Sequence, residues 1–214
     1  MFLTAADSQA IEQRVHALER AIGIQVVTMV VGKCDVYPET VWKAFALGSS
    51  LAALVVAVGD VLHPEWMSST TIISSIVSML AIGALCALAS VYIPGFARLF
   101  LRDTRATAEV FQYAKVQFLD RQMFATRERT AILVLVAMLE RRVVILTDTG
   151  LRDAVTVAEW DAVIATMTER LRAGAACEAL LAGLDAIGNL LSTKGVVRGD
   201  GNAFVDAPIE ASDA

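Results

Sequence analysis

The stretch Ala44-Phe-Ala-Leu-Gly-Ser-Ser-Leu-Ala-Ala-Leu-Val-Val-Ala-Val-Gly-Asp-Val-Leu62 and its counterpart Thr70-Thr-Ile-Ile-Ser-Ser-Ile-Val-Ser-Met-Leu-Ala-Ile-Gly-Ala-Leu-Cys-Ala-Leu-Ala-Ser-Val-Tyr-Ile93 decide how this chain folds. Between Lys43 and Arg98 the only Asp, Glu, Lys, Arg or His residues are Asp60, His63 and Glu65. At 1.5 Å rise per residue, helices of about 19 and about 24 residues can each cross a hydrocarbon core of about 30 Å. A buried helix of a soluble core needs only about 10 to 14 apolar residues. The pair therefore reads as a transmembrane helical hairpin over residues 44–95, with the lipid bilayer as its partner. Gly48, Ser49, Ser50, Gly59, Ser74, Ser75, Ser78 and Gly83 suit close helix packing in lipid, where apolar surface alone does not drive association.

Working outward, the flanking charges give the topology. Lys33 and Lys43 precede the first span, and Arg98, Arg102 and Arg105 follow the second, whereas the turn Asp60 to Ser69 carries two carboxylates and no Lys or Arg. The positive-inside rule then predicts an integral protein of the cell or inner membrane with two spans and both termini cytoplasmic. The first forty residues contain no apolar core of a signal peptide. Trp42, Trp66 and Tyr92 are expected to form interfacial aromatic belts, and the Arg98 to Arg105 cluster to anchor on lipid headgroups. With no ionisable residue in the middle of either span, a transport pathway would require an oligomer, whose existence the sequence leaves open.

The composition is that of a mixed object. The chain is 56% hydrophobic yet holds 18 Lys and Arg and 23 Asp and Glu, mostly outside the hairpin. A net charge of −5 excludes the basic stripe that nucleic-acid binding needs. Cys34, Cys86 and Cys177 are odd in number and far apart, so neither a disulfide framework nor a CxxC metal site is predicted.

The soluble parts follow from periodicity and punctuation. Thr4-Ala-Ala-Asp7 forms a capping box ahead of the stripe Ile11, Val15, Leu18 and Ile22, and Gly23 ends that helix. Ile24 to Val31 is a strand by its β-branched content. Pro94-Gly95 breaks the second span, and Phe96 to Phe124 reads as a long helix burying Leu101, Ala108, Phe111, Ala114 and Phe118. Ala131 to Met138, without a polar residue, is a central strand covered on both faces. Arg142 to Thr147 follows too soon for a parallel crossover and must pair antiparallel with it, giving a mixed sheet. Thr156-Val-Ala-Glu159 caps a helix with apolar face Trp160, Ile164, Met167 and Leu171, and Ala175 to Ser192 turns Cys177, Leu181, Leu184, Ile187 and Leu191 inward. The predicted class is α/β, an αβα sandwich with a small mixed sheet, interrupted by the hairpin. Its parts are residues 1–43, the hairpin 44–95, residues 96–195 as juxtamembrane helix and remainder of the domain, and a disordered acidic tail over 196–214. The tail contains Arg198-Gly199-Asp200, which matches an adhesion motif by letters only.

The order of Leu3-Thr-Ala-Ala, Gly23-Ile-Gln-Val-Val, Arg127-Glu-Arg-Thr130, Leu139-Glu-Arg-Arg142, Asp148-Thr-Gly150 and Leu171-Arg-Ala-Gly174 resembles the TPM domain family over residues 3–45 and 96–193, in the variant split by a two-span hairpin. The resemblance implies an αβα sandwich near a membrane. The family is associated with phosphatase activity, photosystem repair and auxiliary roles beside membrane receptors, so fold alone does not choose among them.

Phosphoester hydrolysis needs a nucleophile or activated water, cations for the phosphoryl oxygens and usually an acidic metal site. The candidates are Asp148, Asp153, Arg127 and Arg129 for catalysis, and Asp35, Asp148 and Asp153 for a divalent cation. Against them stand Asp148 as a turn cap, Asp153 as a solvated residue and arginines paired with Glu128, Glu140 or lipid. No glycine-rich phosphate loop, Cys-x5-Arg run or second aspartate beside Asp35 is present, and His16 and His63 stand isolated. Two functions are expected from these observations. One is an interaction or regulatory module docking on another membrane protein; the other is a membrane-anchored, metal-dependent phosphatase.

Overall fold

In the computed structural model, residues 2–63, 68–126, 128–196 and 209–211 are described. The chain divides into two compact units, residues 36–105 and residues 1–35 with 106–214.

The unit formed by the two flanking segments opens with α1 (Ala5–Ile22). The predicted capping box is present: Asp7 N donates to Thr4 Oγ1 at 3.1 Å, and Thr4 N donates to the Asp7 carboxylate at 2.8 Å. Gly23 closes the helix at φ 66°, donating to Glu19 O. The left-handed backbone there favours a residue without Cβ. β1 (Val26–Val31) pairs in parallel with β2 (Ile132–Ala137), Val26 opposite Ile132 and Val31 opposite Ala137. β3 (Arg142–Thr147) pairs antiparallel with β2, Ala137 opposite Arg142 and Ile132 opposite Thr147. The mixed sheet is as predicted, for the reason given: the four-residue turn 138–141 admits only an antiparallel return.

Side-chain alternation sends the strands' residues to two apolar layers. Val26, Val30, Ile132, Val134 and Val136 pack with Ile11, Val15, Leu18 and Ile22 of α1 and with residues of the last two helices. On the other face, Val27, Met29, Val31, Leu133 and Leu135 meet Val110 and Ala114. With both faces covered, β1 and β2 are buried at every position, which is why both read as continuous apolar runs.

Three sequence expectations need correction. The helix predicted over Phe96 to Phe124 is broken into a five-residue turn of helix (Pro94–Arg98), a helix over Asp103–Asp120 and a 3-10 turn (Met123–Ala125). Its buried stripe is Ala106, Val110 and Ala114, with Tyr113 and Phe118 packed alongside, rather than Leu101, Ala108 and Phe111. Phe111 stays 43% exposed, its ring covered by the Lys115 ammonium at 4.2 Å from the centroid. Small residues face the sheet because they let one helix lie close on it. Finally, Ile209–Ala211 of the tail pairs in parallel with β1, Met29 opposite Ile209 and Val31 opposite Ala211, where composition predicted disorder. An apolar strand with an open edge recruits any extended segment within reach. Val196, the first residue of that tail, is also buried in the core, and residues 197–208 and 212–214 lie outside the described residues.

Beyond β3, the helices Val157–Arg172 and Ala176–Thr193 form an antiparallel pair behind α1. Met167, Leu171, Leu184, Ile187 and Leu191 are buried as predicted, whereas Trp160, Ile164, Cys177 and Leu181 sit at the margin of that core.

The other unit contains helices over Pro38–Leu62 and Ser69–Tyr92, of 25 and 24 residues, which pack against each other as a hairpin. Both are long and apolar enough to cross a membrane. Their contact stripe runs through Ala44, Gly48, Ala52 and Val56 on one helix and Ser75, Met79, Gly83 and Cys86 on the other. A Cβ on Gly48 would stand 2.7 Å from Cys86 Sγ, and one on Gly83 would collide with Ser49 and Phe45. Gly59 has open space around it, and Ser74 and Ser78 turn away and donate to carbonyls of their own helix. Of the predicted small-residue contacts, Gly48, Ser49, Ser75 and Gly83 carry the packing.

Candidate functional site

The strand register decides which candidate residues can meet. Asp148 follows β3, so it lies at the end of the sheet where β1 and β2 begin. Asp35 lies past the far end of β1. A six-residue strand separates the two ends by roughly 17 Å. The three carboxylates proposed for a divalent cation are therefore not gathered, and no group of three or more His, Cys, Asp or Glu able to hold a metal ion occurs among the described residues. The donor set does not fit the cation.

At the Asp148 end, one predicted pair does form. Arg129 Nε donates to Asp148 Oδ2 at 2.8 Å, and Thr149 N donates to Oδ1 at 2.7 Å. Asp148 is 5% exposed and serves as N-cap of the 3-10 turn Thr149–Leu151. Backbone bonds tighten the same corner: Asp148 N to Ala131 O at 3.0 Å and Gly150 N to Arg129 O at 2.8 Å. Arg129 adopts φ 56° to make this approach and lies 5.8 Å from the Phe124 ring centroid. Asp148 thus caps its own turn through Oδ1 and, through Oδ2, holds the loop that enters β2 against the loop that leaves β3. Asp153 is exposed two residues beyond that turn, and Arg127 lies outside the described residues.

The opposite end holds a cluster that spacing did not reveal. Glu140, in the β2–β3 turn, accepts from Cys34 N at 2.9 Å, and Leu139 N donates to Gly32 O at 2.8 Å. Burial, with the Glu140 and Glu109 charges nearby, pushes the Cys34 thiol far up. Tyr113 is also raised, chiefly by burial. These shifts suppress thiolate and phenolate formation, so the cluster is unsuited to nucleophilic work. The remaining sequence signal was Glu140 itself, a carboxylate following nine apolar residues.

Within the hairpin unit, Arg105 pairs with Glu39 at 2.8 Å and stacks over Tyr37, while Lys43 Nζ donates to Phe100 O at 3.0 Å. The basic residues flanking the helices thus brace the start of one against the segment after the other. Trp42 and Tyr92 are 71% and 75% exposed at that same end; Trp66 lies outside the described residues.

An αβα sandwich with a parallel β1–β2 pair, closed at one end by an Arg–Asp clasp, defines the class. Residues 96–190 match the family model of the TPM domain, and the chain carries a TPM domain there. The match spans β2, β3 and the helices around them; α1 and β1, part of the resemblance read from the sequence, lie outside it but complete the same unit. Among solved structures, the chain is similar to that of BA42 protein from the psychrophilic bacterium Bizionia argentinensis, determined by NMR. The TM-score is 0.58 at 15% identity, covering 99% of this chain and 97% of that one, a likeness of fold. No curated protein matches the chain.

Proposed function

We propose that this chain is an integral membrane protein whose TPM-bearing α/β unit sits at the cytoplasmic face as an interaction or regulatory module for other membrane proteins. The observation that carries the reading is the outer surface of the hairpin. Leu51, Leu54, Val55, Val58, Ile73, Ile76, Val77, Leu80, Leu85 and Leu88 are all exposed, so the helices are apolar on the faces they do not bury against each other. Such continuous apolar surface calls for lipid. Exposed Trp42 and Tyr92 at one end suit an interface. Alkaline carbonate extraction tests insertion: the chain is expected in the pellet, and release into the supernatant would sink the proposal. A reporter fused after Asp213 reads sidedness, with a cytoplasmic signal expected. Crosslinking in membranes followed by purification is expected to capture a second membrane protein; a chain that emerges alone argues against the module.

A phosphatase reading draws on the TPM resemblance and on the approach of Arg129 to Asp148, with Asp153 exposed five residues further along the chain. Phosphoester hydrolysis by the detergent-purified chain, with and without magnesium, tests it. Asp153→Asn is the informative variant, because its side chain is exposed and its loss leaves the clasp intact. Activity indifferent to both Asp148→Asn and Asp153→Asn would remove this reading.

A further inference from the structure

Between the turn ends of the two hairpin helices, a cavity of about 180 Å³ is lined by Val56 and Asp60 on one helix and by Thr71, Ser75 and Met79 on the other. Ile72 and Ile76 complete it; they are 51% and 53% exposed, so the cavity opens sideways onto the apolar outer surface of the pair. Asp60 has no hydrogen bond or ion pair among the described residues. The hairpin offers it no basic partner either: from Ala44 to Ala97 there is no Lys or Arg, and the one histidine, His63, is exposed. Ser74 and Ser78 donate to carbonyls of their own helix, whereas Ser75, which lines the cavity, has no such bond. A carboxylate set against apolar surface is costly unless a cation meets it.

Depth follows from the helix rise. At 1.5 Å per residue, Asp60 stands about 27 Å along its helix from Trp42, and Met79 about 20 Å along the other from Tyr92. With those aromatic residues at one interface, a core of about 30 Å puts the carboxylate at the opposite headgroup boundary and the apolar end of the cavity about one-third of the way in. We propose that this cavity binds a phospholipid with a primary-amine headgroup, phosphatidylethanolamine, from the leaflet at the turn end of the hairpin. Its ammonium pairs with Asp60, its phosphate accepts from Ser75 one helical turn deeper, and its upper chain lies against Ile72, Ile76 and Met79. Charge complementarity favours that occupant, since the carboxylate calls for a cation that the hairpin does not supply. Carboxylate, hydroxyl and apolar wall also follow one another along the helices in the order of amine, phosphate and chain along the lipid. The sideways opening admits a molecule from the bilayer itself. A trimethylammonium headgroup has no N–H to donate, and an anionic one meets Asp60 with like charge. The inference rests on the membrane insertion proposed above and on no other part of that reading.

The test reconstitutes the full chain into phosphatidylcholine vesicles containing either phosphatidylethanolamine or phosphatidylglycerol. A carbodiimide then joins a carboxylate to a primary amine in contact with it, expelling water. Peptide mass spectrometry is expected to find phosphatidylethanolamine, less one water, on Asp60, and about tenfold less on Glu65, the other carboxylate of the turn, the difference expected of one charge-assisted hydrogen bond. Native mass spectrometry of the detergent-released chain should show phosphatidylethanolamine retained over phosphatidylcholine by a similar about tenfold. Asp60→Asn, which keeps the shape and loses no protein partner, should abolish that preference, and Asp60→Glu, which keeps the charge, should preserve it. Equal coupling at Asp60 and Glu65, no coupling at either, or retention indifferent to Asp60→Asn would overturn the proposal. Coupling of Asp60 in native membranes to a lysine of a second protein, in place of the lipid, would overturn it by giving the cavity to a protein partner. A chain released from every vesicle by alkaline carbonate would remove the membrane reading and this site together, whereas firm insertion without lipid preference would remove the site alone.

Discussion

At the scale of single residues, the corner around Asp148 shows why a short motif is so restrictive. In Asp148-Thr-Gly150 the carboxylate caps its own turn and pairs with Arg129, and Gly150 passes beneath the Arg129 loop. A Cβ there would stand 2.5 Å from Glu128 O and 2.7 Å from Arg129 O, both backbone atoms with no freedom to swing aside. Gly150→Ala is expected to lower unfolding stability by about 1–3 kcal/mol in denaturant titration, as overpacking does where neighbours cannot move. Arg129→Ala should cost a similar about 1–3 kcal/mol, because it leaves a buried carboxylate oxygen without its donor. At the other end of the sheet, Cys34 is expected to resist alkylation at pH 8 in the folded chain and to react once the chain is unfolded, since burial and Glu140 oppose the thiolate. The turn cap at Asp148 was legible from the Asp-Thr-Gly letters alone. The Arg129 partnership and the reason for Gly150 were not, because both depend on two loops nineteen residues apart meeting across the sheet.

Among elements, the starts of the two helices with a capping box were the most legible feature, since the box is local and leaves its pattern in four consecutive residues. Thr156 N donates to the Glu159 carboxylate at 2.9 Å, and Glu159 also pairs with Lys194 at 2.7 Å, tying the first turn of one helix to the end of the next. The Lys194 contact, followed by the Thr156 bonds, lowers the Glu159 carboxyl from 4.5 to about 2. A carboxyl depressed in the folded state contributes stability above its unfolded value and loses it as pH falls through the folded one. Glu159→Gln should therefore lower Tm at neutral pH, with the difference from the parent chain shrinking between about pH 4.5 and pH 2. Thermal melts across that range check it; a difference independent of pH would contradict the pairing. Helix faces were less legible than helix ends. The helix Asp103–Asp120 turns Ala106 and Ala114 to the sheet and leaves Phe111 out, an inversion that size and hydropathy favour against but close approach requires. In the apolar hairpin the small residues were visible, but not which of them touch. Gly48→Leu and Gly83→Leu are expected to pry the helices apart, whereas Ser78→Leu should be tolerated; engineered-cysteine crosslinking across the pair distinguishes them.

For the whole molecule, both apolar layers around the sheet are built entirely from residues 3–34 and 110–196. The α/β unit thus owns its core without help from the inserted helices. Replacing residues 36–105 by a flexible linker of about ten residues should leave a cooperatively unfolding, water-soluble protein with the same strand pairing, as judged by circular dichroism and hydrogen exchange. Closing so short a loop costs less entropy than the present insertion. An insoluble or unfolded product would mean that the hairpin is structural to the sandwich. The fourth strand was not readable in the sequence, because three ordinary residues beyond a glycine-rich run carry no pattern of their own. The parallel pairing of β1 with β2 also sets a timetable for synthesis. Val26 leaves the ribosome more than a hundred residues ahead of its neighbour Ile132, which at 5–20 residues per second is a delay of roughly 5–20 s. During that interval a fully buried strand of the α/β unit has no sheet to join, while the apolar helices are being made directly behind it. A nascent chain of this design needs something to hold its first strand, and ribosome-bound intermediates halted after Arg105 should be bound by chaperones that release them once Ala137 has emerged.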